Sequence, residues 1–149
     1  MPLNRDYIGR SYPAGAPYEV SRVKIAEFAD AIGDPNPVYR DRAAAQAAGF
    51  GDVIAPPTFA IVISMGSAGA AVADPGLGLN YAMVVHGEQR FEYARPLMAG
   101  DVITAQATIT DIRDAGRNAM LSTTTEISTV DGEHVCTATS TLVERGGAG

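Results

Sequence analysis

The sequence predicts an α+β fold in which a curved antiparallel sheet wraps around one central apolar helix. Three observations carry that prediction. Val53–Ala73 contains no charged residue, which suits a helix covered on most sides. Everything after "DPGLGLN" reads as strand, in four runs rich in Thr, Val and Ile. Turn signals separate those runs by too little chain for parallel crossovers, so the strands must form a meander.

Taken in order, Pro13–Val20 reads as a turn running into a short strand. A helix follows, with Ser21 as N-cap and Ile25, Phe28, Ala29 and Ile32 on one face. Val20 and Ile25 stand at the staple positions, and Gly33 ends the helix at C′. Arg42–Ala48 is a short Ala-rich helix ended by Gly49. In the uncharged stretch, Pro56 and Pro57 leave about sixteen helical positions, short of the roughly twenty that a bilayer requires. It is therefore predicted as a buried helix, Thr58–Val72, with Pro57 in its first turn and Gly66 and Gly69 admitting a close sheet. The strands are predicted at Met83–Tyr93, Val102–Asp114, Ala119–Val130 and Glu133–Glu144. "RPLMAGD" separates the first two, "DAGRN" makes a hairpin loop, and Asp131-Gly132 a two-residue turn.

Composition narrows the function. The 149 residues, read as a single domain over 1–149, are 46% hydrophobic and 19% charged, ordinary for a globular chain. A net charge of −6 disfavours nucleic acid and anionic membranes as partners. The lone Cys136 supports neither a disulfide framework nor a thiolate metal cluster, and two histidines on separate strands make no metal site. "MPLNRDYIGR" lacks a signal-peptide pattern, so the cytoplasm is the expected location.

Chemistry concentrates in "GDPNPVYRD", Gly33–Asp41. Asp34 and Asn36 either present a carboxylate to a substrate or form Asx turns that shape the loop. Tyr39 is a poor base near neutrality, its reference pKa being about 10. His86 in "VVHGEQRFEY" falls by strict alternation with Glu88, Arg90 and Glu92, opposite Val85, Gln89, Phe91 and Tyr93. A bulge at Gly87 would re-aim it.

"FADAIGDPNPVYRDRAAAQAAGF" resembles the hydratase motif of the MaoC-like family of (R)-specific enoyl-thioester hydratases and dehydratases. That motif reads aromatic, Gly-Asp-x-Asn-Pro-x-His, acid, Ala. Phe28, Gly33, Asp34, Asn36, Pro37, Asp41 and Ala43–Ala45 match it, and Tyr39 stands where the histidine belongs. "IAPPTF" at Ile54–Phe59 and "FEYARPLMAGDVITAQATI" at Phe91–Ile109 resemble the family's approach to its central helix and its Arg-Pro…Ala-Gly-Asp turn. The similarity runs through residues 7–145 and is greatest to small actinobacterial proteins related to the subunits of (3R)-hydroxyacyl-ACP dehydratases.

The resemblance implies a hot-dog fold and a subunit that dehydrates 3-hydroxyacyl thioesters, or hydrates enoyl thioesters, in fatty-acid metabolism. The family's Asp and His divide the proton work, and backbone N–H groups at the helix start serve the thioester oxygen. Here Asp34, Asn36 and Tyr39 would be the remnant of the catalytic set, Asp34 vestigial or supporting. Pro57, Thr58, Phe59, Val62, Met65 and His86 are the expected substrate-binding positions. The substrate would ride on the pantetheine of CoA or an acyl carrier protein, without a bound cofactor. With the histidine missing, the implied role is a supporting, substrate-holding subunit beside a motif-complete MaoC-like partner. A non-catalytic acyl-thioester-binding homodimer and a homodimeric hydratase relying on Asp34 are the alternatives. Other hot-dog chemistries fit less well, because Thr58–Val72 carries no carboxylate and Asp52 lies beyond two prolines.

Overall fold

Local signals build the helical half of the molecule, which a computed structural model describes over residues 2–149. Helix α1 spans Arg22–Ala31, and the Ser21 hydroxyl accepts the Lys24 N–H at 3.1 Å. Val20 and Ile25 are both buried, as the staple requires. At the other end Gly33 adopts φ 71°, its N–H reaching Asp30 O and the Asp34 N–H reaching Ala29 O. Those two bonds make a Schellman closure. Asn36 then caps a single 3₁₀ turn, Pro37–Tyr39, and Asp41 caps helix α2, Arg42–Ala47.

The central helix α3 runs Ile61–Val72, later than predicted, because Pro57–Ala60 forms turns instead. Nor is it buried on nearly all sides. Ile63, Ser64 and Ala71 face inward, while Met65 is 54% exposed and Gly66 and Ala70 are open. The physical reason is area: one five-stranded sheet covers only one side of a helix. No helix among the described residues is long and apolar enough to cross a membrane.

The sheet is antiparallel in the order β1-β3-β4-β5-β2, with β1 at Tyr18–Glu19, β2 at Val84–Tyr93, β3 at Val102–Ala115, β4 at Asn118–Thr129 and β5 at His134–Glu144. The expected meander holds only for β3-β4-β5: β2 pairs with β5 and not with β3, because the eight-residue segment after Tyr93 carries the chain across to the other side of the sheet instead of closing a hairpin. Register shifts at His86/Glu88, Ile109/Asp111 and Ile127/Ser128 add the local twist that curls it around α3. Gly116-Arg117 is the true two-residue turn, joining Ala115 to Asn118 with Gly116 at φ 63°. At the other hairpin the Thr129 N–H bonds Glu133 O, so the loop holds three residues rather than two. Gly132 at φ 95° closes it with a bulge. The Arg-Pro…Ala-Gly-Asp turn is clamped by Arg95, whose guanidinium meets both Asp101 oxygens at 2.8 and 3.1 Å and also Glu133 at 2.8 Å.

Apolar side chains gather in two clusters at opposite ends of α3. Phe59, Ile25, Ala29, Ile103 and Ile127 belong to one, and Ala71, Leu77, Ile109, Leu121 and Leu142 to the other. Strand β2 pairs only with β5, leaving its far edge unpaired among the described residues.

Candidate functional site

The loop after α1 spends its polar groups on its own shape. Asp34 Oδ1 accepts the Asn36 N–H at 3.1 Å, and Asn36 Oδ1 accepts the Val38 N–H at 3.1 Å. These are the Asx turns left open by the sequence. Arg40 bonds the Asp34 carbonyl oxygen and the Asp30 carboxylate. The loop thereby drives Tyr39 inward to 7% exposure. Burial, reinforced by the negative charge of Asp34, raises the Tyr39 phenol above its usual pKa. A phenol so placed stays neutral at physiological pH and cannot serve as a base.

Tyr39 lines a pocket of about 320 Å³ with Ile54, Ala55, Pro57, Tyr93 and Arg95. The three resembling segments therefore meet at one place. Tyr93, another of its lining residues, was not singled out from the sequence. Its hydroxyl donates to Pro57 O at 2.6 Å. Burial, with smaller contributions around it, raises the Tyr93 pKa strongly. The Phe59 N–H, expected to be available to a ligand oxygen, bonds Pro56 O at 2.9 Å instead. This follows from the tight turn that precedes α3. The Thr58 N–H, on an exposed residue, meets no acceptor among the described residues.

The remaining predicted positions separate. Phe59 is fully buried and packs edge-to-face on Phe28 with ring centroids 5.4 Å apart, and it does not line the Tyr39 pocket. Val62 lines a groove of about 260 Å³ on the β1/β3 side of α3. Met65 and His86 instead meet at a chamber of about 220 Å³ between α3 and strands β2, β4 and β5. The Gly87 bulge puts His86 there: the register shift breaks strict alternation, so His86 and Gln89 line the same space. Ser64 and Gln89 were also missed. The available signal was a glutamine on the inward side of an alternating strand.

Asp52 is occupied structurally. The Arg22 guanidinium reaches its two oxygens at 3.1 and 2.7 Å, and this contact, with the Val53 N–H, holds its carboxyl down to about 2. Cys136 is buried, and burial pushes its thiol up to about 11.

Known proteins resemble this chain in sequence and in fold. The family model of the FAS1-like dehydratase domain region matches residues 6–138. A UPF0336 protein of Thermobifida fusca is 60% identical, over 99% of this chain and 97% of that protein. A MaoC-like dehydratase superposes with a TM-score of 0.87 at 30% identity over 93% of this chain, which spans 42% of that protein's length. The C-terminally truncated HadBC (3R-hydroxyacyl-ACP dehydratase) complex from Mycobacterium tuberculosis gives a TM-score of 0.85 at 25% identity, covering 95% of this chain and 99% of that one. The fold is thus the hot-dog fold of the MaoC-like dehydratases.

Proposed function

The chain belongs to the FAS1-like dehydratase domain family, and from that membership we propose that it is the substrate-holding subunit of a (3R)-hydroxyacyl-thioester dehydratase. The observation that carries this reading is the neutral, buried Tyr39 phenol beside Asp34, where the chemistry calls for a proton shuttle. The elimination removes a proton from C2 and expels the C3 hydroxyl as water. One group must take the first proton and another must protonate the leaving oxygen. Asp34 is committed to its turn, and the Phe59 N–H is engaged with Pro56 O, which removes one of the two expected oxygen-stabilising donors.

In this reading a partner with an intact Asp-x-Asn-Pro-x-His loop performs the proton transfers on an acyl-pantetheine carried by CoA or an acyl carrier protein. No bound cofactor is called for by such acid–base chemistry. This chain contributes apolar space for the acyl group and a surface for assembly. Two features support the surface: the unpaired β2 edge, and the exposed Met65, Tyr81, Met83 and Val85 beside it.

Co-expression with a motif-complete hot-dog protein, size-exclusion chromatography and a 3-hydroxyacyl dehydration assay test the proposal. The expected result is a complex more active than either chain, with Asp34→Ala in this chain costing less than about tenfold, against the 10²–10⁴-fold typical of an acid–base group. A fully active partner that forms no complex favours the acyl-binding homodimer. Strong activity of this chain alone, abolished by Asp34→Ala, restores the homodimeric hydratase.

A further inference from the structure

The chamber between α3 and the sheet interrupts the core in a patterned way. Along β4 the inward positions read Leu121, Thr123, Thr125, Ile127, apolar at both ends and hydroxylic between. Thr123 and Thr125 are only 3% and 2% exposed. Along β5 the neighbouring lining reads Leu142, Ser140, Ala138. The polar band falls between the two apolar clusters and faces Ser64 on α3 and Gln89 on β2. Ser64 is 5% exposed, and neither its hydroxyl oxygen nor the Gln89 amide nitrogen has a hydrogen-bond partner.

Buried polar atoms are normally paired, and leaving one unpaired costs free energy. Both orphans donate, Gln89 through N–H and Ser64 through O–H, so both want an acceptor. A single bridging water would leave most of the space unused, since about 220 Å³ corresponds to about seven waters. Exposed Met65, Tyr81 and His86 line its outer side, and its apolar lining, with Ala68, Gly69, Val72 and Leu142, suits methylene groups.

We propose that this chamber is a subsite for acyl chains carrying a keto or hydroxyl oxygen beyond C3, which accepts from Gln89 and Ser64. The assignment rests on the chain-holding role proposed above and adds a substrate class to it. An unsubstituted chain fills the same volume but strands both donors, and a site built to hydrogen-bond an oxygen discriminates against the analogue lacking it.

The test is calorimetric titration of the full chain with decanoyl-pantetheine and with matched chains bearing one keto oxygen at successive carbons beyond C3. At least one keto position should bind about tenfold tighter or better than the plain chain. Gln89→Leu and Ser64→Ala should each erase most of that preference, bringing the keto chain's affinity towards the plain chain's. Alanine suits the α3 interior, so Ser64→Ala keeps the comparison valid even if Gln89→Leu folds poorly. Equal or tighter binding of the plain chain, or a preference that survives both substitutions, overturns the proposal while leaving chain holding intact. Binding of none of the thioesters removes the chain-holding role and this subsite together.

Discussion

Phe59→Ala separates a core residue from a tunnel residue. Phe59 is fully buried and stacks edge-to-face on Phe28 at 5.4 Å, in the cluster that joins α1 to the sheet. Truncating a buried phenylalanine costs about 3–5 kcal/mol, and an edge-to-face pair contributes about 0.5–1.5 kcal/mol beyond area burial. Full enclosure places the expected loss at about 4 kcal/mol, a large part of the 5–15 kcal/mol typical of a domain. With a urea slope of about 2 kcal/mol per M, the unfolding midpoint should fall by about 2 M without a change in slope. Circular dichroism and tyrosine fluorescence should report the same transition. A loss below about 1 kcal/mol, accompanied by altered acyl-chain preference, would refute the core assignment and return Phe59 to a ligand-lining role.

Other expectations follow from contacts already described. The Asp52 carboxyl is held at about 2 in the folded chain, below its ordinary value of 3.8. Its contribution to stability is therefore present above pH 4 and lost as pH falls towards 2. Arg22→Gln should raise the pH of acid unfolding within that window in a melting-temperature series; an unchanged acid limb refutes the clamp. A Cβ at Gly87 would lie 2.9 Å from Val143 Cγ2 and 3.3 Å from Thr141 O, so Gly87→Ala should destabilise by about 1–2 kcal/mol and shift the His86 ring resonances. A neutral effect on both would show that the bulge tolerates a side chain. Cys136, buried with its thiol raised to about 11, should resist iodoacetamide at pH 8 until urea unfolds the chain. Rapid stoichiometric labelling of the native protein contradicts that burial.

Features set by neighbours along the chain were legible in the sequence. Ser21, Gly33, Asn36 and Asp41 act through bonds to residues two to five positions away, so residue type alone announces them. The four long strands and the curved antiparallel sheet followed from β-branched runs and turn residues. Exposure of α3 was not legible, because an uncharged helix looks the same whether its own sheet covers it or another surface does. Tyr39 was legible as a departure from a motif, yet its burial depends on the Arg40 bonds behind it. The role of Tyr93 was hidden for a different reason. It depends on a turn thirty-six residues earlier that presents Pro57 O to the phenol, and no local pattern encodes that meeting. His86 and Gln89 share a chamber only because a bulge at Gly87 breaks the alternation from which their faces were read.

The Tyr93 plug has a consequence for counting. With the Phe59 N–H spent on Pro56 O and the Tyr93 hydroxyl held on the Pro57 carbonyl at 2.6 Å, this helix start is a poor seat for a negatively charged enolate mimic. In an assembly of this chain with one whose helix start is open, such an inhibitor should occupy the open site at concentrations that leave this one empty. Half-of-sites stoichiometry would then arise from the covalent structure of one subunit, with no negative cooperativity between the two.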